Sequence, residues 1–283
     1  MNKSFWVLGV LSVSMAAFAD ERIVGGTPTP PGAYPFFSTV TEQDGKHICG
    51  GALIAPQWVL TAAHCIRRQM PYQVQVGMEQ YLPNVVSLDT VKIEQAFIPA
   101  DWKGWQPYSR EAGEAGEAKS QGQYDIALLK LERPANSTQF LKLEREPAKE
   151  QVGDIVILAG FGLNEAGQRP DHLYHASGAI LETQRCIDVP EGYPDTNFDP
   201  VLNVCATGMS RGGDSGGPLL YKEGAGYIGL GLVSRGLIDA AQLTRISFFR
   251  NWIDTVMKAG TCAKPESLES GVPVCADVSA HVK

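Results

Sequence analysis

Short apolar runs alternate with polar turn residues through most of the chain. Between residues 39 and 233, runs rich in Val, Ile, Leu and aromatic residues are separated by clusters of Gly, Pro, Asn and Asp; examples are ALIAPQWVLTA, YQVQVG, DIVILAGFG and GYIGLGLVS. Such a pattern is typical of many short antiparallel strands. It predicts an all-β sandwich or barrel.

Two segments depart from this pattern. Ile246, Phe249, Ile253 and Met257 recur at the spacing of one helical face, which predicts a C-terminal helix, and the chain from Gly260 onward looks irregular. Residues 103–123, KGWQPYSREAGEAGEAKSQGQ, are too polar to bury themselves and are expected to form a mobile surface loop.

The N-terminal segment has the pattern of a secretory signal peptide. Lys3 precedes the apolar run FWVLGVLSVSMAAFA, which ends in the small residues Ala17 and Ala19 on either side of Phe18. This predicts cleavage after Ala19. The alternative is a membrane anchor, but spanning a bilayer takes about 20 apolar residues. We therefore expect a secreted protein with no membrane segment in its mature form.

Composition narrows the classes of partner. The chain has 283 residues, a formal net charge of −7 and no Lys/Arg-rich block. These properties argue against nucleic acid or an anionic membrane as a partner. The six cysteines are an even set, which favours disulfides in an oxidising compartment, and none has the C-x-x-C spacing of a zinc site. The cysteines are Cys49, Cys65, Cys186, Cys205, Cys262 and Cys275.

A serine in a glycine-rich stretch, RGGDSGGP at residues 211–218, is the first candidate for chemistry. Ser215 could lie in an ordinary loop, but a catalytic serine needs a base, and the base needs a third group to orient it. His64 follows an apolar strand in VLTAAHC, and Asp125 opens the strand run of YDIALLKL. Taken singly, His64 could equally be a core histidine and Asp125 a residue that begins a strand.

Four motifs together resemble the chymotrypsin-like (trypsin-like) serine proteases. They are IVGG at Ile23, CGGALIAPQWVLTAAHC at Cys49, YDIALLKL at Tyr124 and GDSGGP at Gly213. The resemblance extends from about residue 23 to residue 258. It implies an all-β fold of two packed six-stranded antiparallel Greek-key barrels with a C-terminal helix, and an active site in the cleft between the barrels.

The resemblance also implies roles for the candidate residues. Ser215 is expected to be the nucleophile, His64 its general base and Asp125 the group that orients His64. The N–H groups of Gly213 and Ser215 are expected to bind the oxyanion. The glycines that follow Ser215 would leave room around it. The implied activity is hydrolysis of protein or peptide substrates without a cofactor.

The resemblance predicts synthesis as a zymogen. Residues 20–22 would form a short propeptide, and cleavage after Arg22 would free the α-amino group of Ile23, which would then pair with Asp214. The protease domain is expected to span residues 23–259, followed by a tail of residues 260–283. Two disulfides are implied, Cys49 with Cys65 and Cys186 with Cys205, and Cys262 with Cys275 is the pair that remains.

The specificity pocket departs from the family pattern. Many members have a cysteine at the position of Arg211, bonded to the loop after VSRG, and both cysteines are missing here. Residues expected to contact substrate are Met209 at the pocket base together with Ser234, Gly236 and Ala241. The apolar base predicts a preference for Leu, Met, Phe or Tyr before the scissile bond. Poor cleavage after Arg then implies a separate trypsin-like protease as activator.

Other readings remain open from the sequence. Calcium-binding members have an acidic loop where this chain offers mainly Glu79, so we expect no metal. A binding protein on the same scaffold would lack members of the triad, whereas His64, Asp125 and Ser215 are all present. A lipase or esterase would usually use G-x-S-x-G with the histidine last in the chain.

Overall fold

The computed structural model describes residues 25–67, 71–81, 86–102, 104, 123–164, 167–188, 197–237, 239–262, 264–267 and 270–281. The predicted signal peptide, the propeptide and nearly all of the 103–123 segment lie outside these residues. Within them, no helix is long and apolar enough to cross a membrane.

The described part of the chain is mainly β-structure. The strands are β1 (Thr27–Pro28), β2 (Phe37–Thr41), β3 (His47–Ala55), β4 (Trp58–Thr61), β5 (Gln73–Val76), β6 (Asp89–Phe97), β7 (Ala127–Leu131), β8 (Lys142–Leu143), β9 (Ile155–Gly160), β10 (Tyr174–Ala179), β11 (Asn203–Thr207), β12 (Pro218–Glu223), β13 (Gly226–Gly236), β14 (Ala240–Arg245), β15 (Glu266–Ser267) and β16 (Pro273–Cys275). The helices are α1 (His64–Arg67), α2 (Gln184–Ile187) and α3 (Arg250–Ala259).

The first barrel is a closed ring of antiparallel strands. Its order is β6-β5-β2-β3-β4-β7, and β6 pairs again with β7 to complete the ring. In β6, Val91 and Ile93 are buried while the residues between and beside them are exposed, because alternate side chains of a strand point to opposite faces. The predicted apolar runs around β3, β4 and β5 all form strands of this barrel.

The second barrel is a curled half-barrel. Its path is β1-β10-β9-β12-β13-β14-β11, and an isolated bridge between Ile180 and Ala206 joins its two ends. The apolar runs predicted around residues 154–162 and 226–234 form β9 and β13 here. The prediction of two barrels is therefore confirmed, with one barrel closed and the other, in which the two-residue β1 precedes six longer strands, partly open.

The C-terminal region differs from the prediction in two ways. Helix α3 begins at Arg250, so Ile246 and Phe249 of the predicted face precede it, and it ends at Ala259, before Gly260, whose left-handed φ of 68° stops the helix. The tail expected to be irregular contains the β15–β16 hairpin, and β16 extends the first barrel by pairing in parallel with β6. Both Ile246 and Phe249 are still fully buried.

Candidate active site

The candidate base and its orienting group come from adjacent strands of the first barrel. His64 begins α1 directly after β4, and Asp125 lies just before β7, which pairs with β4. His64 Nδ1 is 2.7 Å from Asp125 Oδ2, and the His64 N–H donates to Asp125 Oδ1 at 2.9 Å. Two contacts thus fix both the ring and the backbone of His64 relative to one carboxylate.

Asp125 stays ionised although it is fully buried. Burial alone would raise its pKa, but the charge of His64 and hydrogen bonds from His64 and Ser234 outweigh burial and lower the pKa below its ordinary value. The Ser234 hydroxyl donates to Asp125 Oδ2 at 2.6 Å. The Thr244 hydroxyl donates to the Asp125 carbonyl at 2.9 Å. The second barrel therefore helps to hold a residue of the first.

Ser215 lies in the loop between β11 and β12 of the second barrel. Gly213, two residues earlier, has a φ of 105°, a conformation that side-chain-bearing residues rarely adopt. The loop also contains a turn in which the Gly217 N–H donates to the Asp214 carbonyl at 2.9 Å. The local glycines thus allow a tight turn that leaves Ser215 half-buried at the barrel boundary.

The carbonyl of Gly213 is held by a histidine from the first barrel. His47 Nε2 is 2.8 Å from this oxygen, so Nε2 must carry the hydrogen. Burial and the nearby charge of Arg169 lower the pKa of His47 to about 3, so the ring is neutral. A neutral donor fixes the orientation of the Gly213 peptide group without adding charge.

The two barrels touch through main-chain atoms beside Ser215. The Gly50 N–H donates to the Ser215 carbonyl at 2.8 Å. A Cβ added to Gly50 would lie 2.9 Å from the Gly217 Cα, closer than side chains pack. We call this contact between Gly50 and Gly217 the glycine seam. It sets the distance between the barrels at the site.

Asp214 is buried directly behind the serine. It accepts hydrogen bonds from the N–H groups of Gly162 at 2.7 Å and Arg211 at 2.9 Å. Burial raises its pKa to about 6, while these hydrogen bonds and the charges of Arg169 and Arg211 partly oppose that rise. At a pH of about 6, the Asp214 side chain is therefore divided between its charged and neutral forms.

Arg169 lies on the other side of the same loop. Its guanidinium donates to the Phe161 carbonyl at 2.8 Å and lies 5.9 Å from the centre of the Tyr81 ring. A Cβ added to Gly213 would lie 2.7 Å from Arg169 Nη1. Any larger residue at position 213 would collide with this guanidinium.

A pocket of about 460 Å³ opens beside Ser215. Its walls approach each other closely, since a Cβ added to Gly236 would lie 3.2 Å from the Ser210 carbonyl oxygen. Met209 and Ala241 are both buried in the apolar core of the second barrel. The lining residues are Ser210, Arg211, Gly212, Ser215, Val233, Gly236 and Leu237.

A larger groove of about 900 Å³ lies elsewhere on the molecule. It is lined by residues such as Phe140, Tyr227 and Arg250 and contains none of the candidate catalytic residues. The smaller pocket is therefore the candidate site for the substrate side chain, because Ser215 is among its lining residues.

The structure brings only part of the predicted site together: His64 contacts Asp125, and Ser215 and Gly236 line one pocket. Of the other residues expected to contact substrate, Met209 and Ala241 lie in the core of the second barrel and Ser234 donates to Asp125, so none of the three lines that pocket. All three disulfide pairs are those expected: Cys49–Cys65, Cys186–Cys205 and Cys262–Cys275. Arg22 and Ile23 lie outside the described residues. Sequence reasoning did not anticipate the contacts of His47 and Arg169 with the Gly213 region or the place of Leu237 in the pocket. No local signal marks them, because their partners are distant in the chain.

The chain matches known proteins along most of its length. The family model described as Trypsin matches residues 23–253. Serine protease SSP1 of Scolopendra subspinipes is 31% identical over 87% of this chain and 87% of its own length. Granzyme-like protein 1 of Rattus norvegicus is also 31% identical, over 89% of this chain and 98% of its own.

Solved structures agree with this assignment. The structure titled human heparin binding protein superposes with a TM-score of 0.65 at 25% identity, covering 86% of this chain and 100% of that one. Such a fold match agrees with the barrel architecture described above. Together with the family model and the relatives, it leads to one conclusion: the chain belongs to the trypsin family and is a serine endopeptidase.

Proposed function

We propose that the protein is a secreted endopeptidase, made as a zymogen, whose catalytic residues are Ser215, His64 and Asp125. The observation that carries this proposal is the 2.7 Å contact between His64 Nδ1 and the buried Asp125 carboxylate. A hydrogen on Nδ1 leaves Nε2 free to act as a base. This arrangement is suited to removing a proton from a serine hydroxyl.

The reaction follows the general scheme of the family. Ser215 Oγ attacks the substrate carbonyl carbon while His64 Nε2 takes the hydroxyl proton. His64 then donates that proton to the leaving amine, and water later hydrolyses the acyl-enzyme by the same route. Asp125 stabilises the positive charge that His64 carries in each step.

The oxyanion is proposed to bind the N–H groups of Gly213 and Ser215. Preorganised N–H donors stabilise the charge that develops on the substrate oxygen. The contact of His47 with the Gly213 carbonyl supports this role, because it fixes the peptide group between Gly213 and Asp214, which lies between the two proposed donors. The reaction needs no cofactor in this scheme.

Activation is proposed to depend on Asp214. Cleavage after Arg22 by a separate trypsin-like protease would create the ammonium group of Ile23, and that charge would pair with the Asp214 carboxylate. The buried position of Asp214 supports this, because an ionised buried carboxylate is stabilised by a nearby positive charge. Replacing Arg22 with Gln should give a folded, inactive precursor.

The pocket is proposed to accept an apolar side chain before the scissile bond. Met209 lies in the apolar core near this end of the barrel, and Leu237 and Val233 line the pocket walls. Leu, Met, Phe and Tyr are the side chains proposed for this position. Peptide-library profiling of the activated enzyme tests this, and dominant cleavage after Lys or Arg would refute it.

Secretion is supported by two independent features. The N-terminal segment has a signal-peptide pattern, and the three disulfides suit an oxidising compartment. Mass spectrometry of the exported protein should find an N-terminus at Asp20 before activation and at Ile23 afterwards.

Active-site labelling tests the catalytic assignment. After treatment with trypsin, a fluorophosphonate probe should attach to Ser215 in the wild type and to neither Ser215→Ala nor Arg22→Gln. Ser267→Ala, an exposed serine on β15, is the matched control and should label normally. An activated wild type that neither labels nor cleaves peptides would favour the alternative, a binding protein on the protease scaffold.

A further inference from the structure

The C-terminal tail reaches the residue that precedes Asp125. Val278 accepts hydrogen bonds from the Ala100 N–H at 3.0 Å and from Trp252 Nε1 at 3.2 Å. Three residues later, His281 Nε2 is 3.0 Å from the Tyr124 hydroxyl. The tail thus spans from helix α3 and the end of β6 to the start of β7.

The tail is held along this path by several contacts. Asp101 Oδ2 accepts hydrogen bonds from the Ser279 hydroxyl at 2.8 Å and from the Ala280 N–H at 2.7 Å. Ala280 is buried in an apolar cluster that also contains Trp252 and Phe249. The disulfide between Cys262 and Cys275 and the pairing of β16 with β6 fix the earlier part of the tail. His281 is therefore placed by a sequence of anchored residues.

Tyr124 has an unusual backbone conformation. Its φ is 59°, in the left-handed region where the Cβ of an L-residue approaches the following carbonyl. The ring packs edge-on against His281, with centroids 5.6 Å apart, and against Phe249, at 6.1 Å. His281 also packs against Phe248 at 5.9 Å. These contacts hold the side chain of a residue whose backbone would otherwise favour another conformation.

The conformation of Tyr124 sets the position of Asp125. The two residues are adjacent, and the Ile126 N–H donates back to the Tyr124 carbonyl at 2.8 Å, which closes a tight turn around Asp125. If Tyr124 relaxed to a negative φ, the direction of the chain entering this turn would change. The Asp125 carboxylate would then leave the geometry in which it contacts His64.

From these contacts we infer that the tail is a positioning element for Asp125, with His281 acting through Tyr124. This inference rests on the proposed catalytic role of Asp125. His281 and Tyr124 are positioning residues, since neither touches the reacting atoms. The tail thereby links the C-terminal end of the chain to the charge that supports His64.

Removal of the end of the tail tests the inference. A chain that stops after Asp277 keeps both cysteines of the tail. It loses Val278, His281 and the two residues that donate hydrogen bonds to Asp101, which are Ser279 and Ala280. We expect kcat per labelled Ser215 to fall about 10-fold, within the roughly 100-fold that a 1 Å misplacement can produce. The acid limb of the kcat/KM profile should also move to lower pH, because His64 loses part of its negative partner.

A second substitution separates positioning from general stability. Tyr124→Gly in the shortened chain should restore most of kcat, because glycine adopts a positive φ freely. In the Tyr124→Gly background, removal of the residues after Asp277 should change kcat by less than about 3-fold, because the turn no longer needs the tail. His281→Ala provides a milder test if the shortened chain does not fold, and Ser267→Ala is the matched tail control.

The outcomes are distinct. An unchanged kcat per labelled site in both the shortened chain and His281→Ala would overturn the inference and leave the proposed function intact. Loss of kcat without rescue by Tyr124→Gly would overturn the assignment to Tyr124. A wild type that fails to label at Ser215 would instead refute the proposed function on which the inference rests.

Discussion

The two halves of the active site are held by different means. His64 and Asp125 belong to a closed barrel, and the Cys49–Cys65 disulfide, two mutual contacts and the hydroxyl of Ser234 fix them. Ser215 belongs to a loop of the half-barrel, where main-chain hydrogen bonds and the buried Asp214 determine the conformation.

This difference separates the assembly of the proposed base, His64, from the assembly of the proposed oxyanion site around Ser215. The pair of His64 and Asp125 is complete once the first barrel has folded and packed against the second. The Ser215 loop depends on a carboxylate whose pKa of about 6 lies close to physiological pH. The zymogen proposed above would therefore keep its base ready, while the Ser215 loop would need the positive charge of Ile23 beside Asp214.

The largest effect is expected from Asp125→Asn, which breaks the first-barrel half. An amide can donate to His64 Nδ1 and so favour the tautomer with the hydrogen on Nε2, which cannot act as a base. The same type of change in the family's template enzyme lowers kcat roughly 10⁴-fold, and we expect a similar loss here. Steady-state kinetics on a peptide amide measures it. Asp254→Asn, on the exposed face of α3, is the control, and an equal loss there would contradict this explanation.

Asp214→Asn should disrupt the half of the site in the second barrel. We expect kcat to fall by about 10² to 10³-fold, comparable to the loss of one oxyanion donor. The neutral amide cannot pair with the ammonium of Ile23, so cleavage after Arg22 should no longer activate the enzyme. Titration of active sites with a fluorophosphonate after trypsin treatment measures the effect. Normal activation of this variant would remove Asp214 from the mechanism.

The same carboxylate predicts a pH dependence of stability in the uncleaved Arg22→Gln precursor. The folded pKa of Asp214, about 6, lies above its ordinary value of 3.8, so the folded state binds the proton more tightly than the unfolded state. The free energy of unfolding should therefore fall as pH rises from about 4 to about 6, by on the order of 3 kcal/mol. Urea melts across this range should show the fall, and adding Asp214→Asn should reduce it by about that amount, leaving the contribution of Glu150, whose pKa burial raises to about 8.

Ser234→Ala removes a contact between the two barrels at the site and should lower kcat about 10-fold. The substitution removes the 2.6 Å hydrogen bond to Asp125 Oδ2, and hydrogen bonds to charged groups contribute roughly 1.5 to 3 kcal/mol. The acid limb of the pH profile should be measured together with kcat. Ser38→Ala, at a buried hydroxyl that donates to the Phe36 carbonyl, is a matched control remote from Asp125 in sequence.

The smallest effect is expected at the pocket wall. Arg211→Ala should lower the relative cleavage after Glu, compared with Leu, by about 3-fold, because a partly exposed charge contributes at most about 1 kcal/mol. Competition between two peptides that differ only in this residue measures the ratio. An unchanged ratio would show that the guanidinium does not act on substrate.

Local patterns predicted a sandwich or barrel of short strands, and the resemblance to the family implied the two barrels and the pairing of His64 with Asp125. Neither predicted the residues that surround the site. Alternating burial in strands such as β6 follows from local sequence, and the motif around Ser215 marks a tight turn. The contact of His47 with Gly213 joins residues 166 positions apart, so no local pattern could indicate it. The tail hairpin was missed for a related reason: β15 and β16 are short, and pairing with β6 stabilises them rather than their own sequence.

The glycine seam has a consequence for how this sequence can drift. Because Gly50 and Gly217 meet through backbone atoms, the gap between base and nucleophile does not depend on the size of any side chain at that contact. Core residues elsewhere in either barrel can change volume, and each barrel can absorb the change internally. A methyl group on Gly50 would instead act as a wedge between the barrels, because it would lie 2.9 Å from the Gly217 Cα. Saturation mutagenesis should therefore show no tolerated substitution at Gly50, nor at Gly216, where a Cβ would lie 2.7 Å from the Gly50 carbonyl oxygen, while core positions within each barrel tolerate changes in volume.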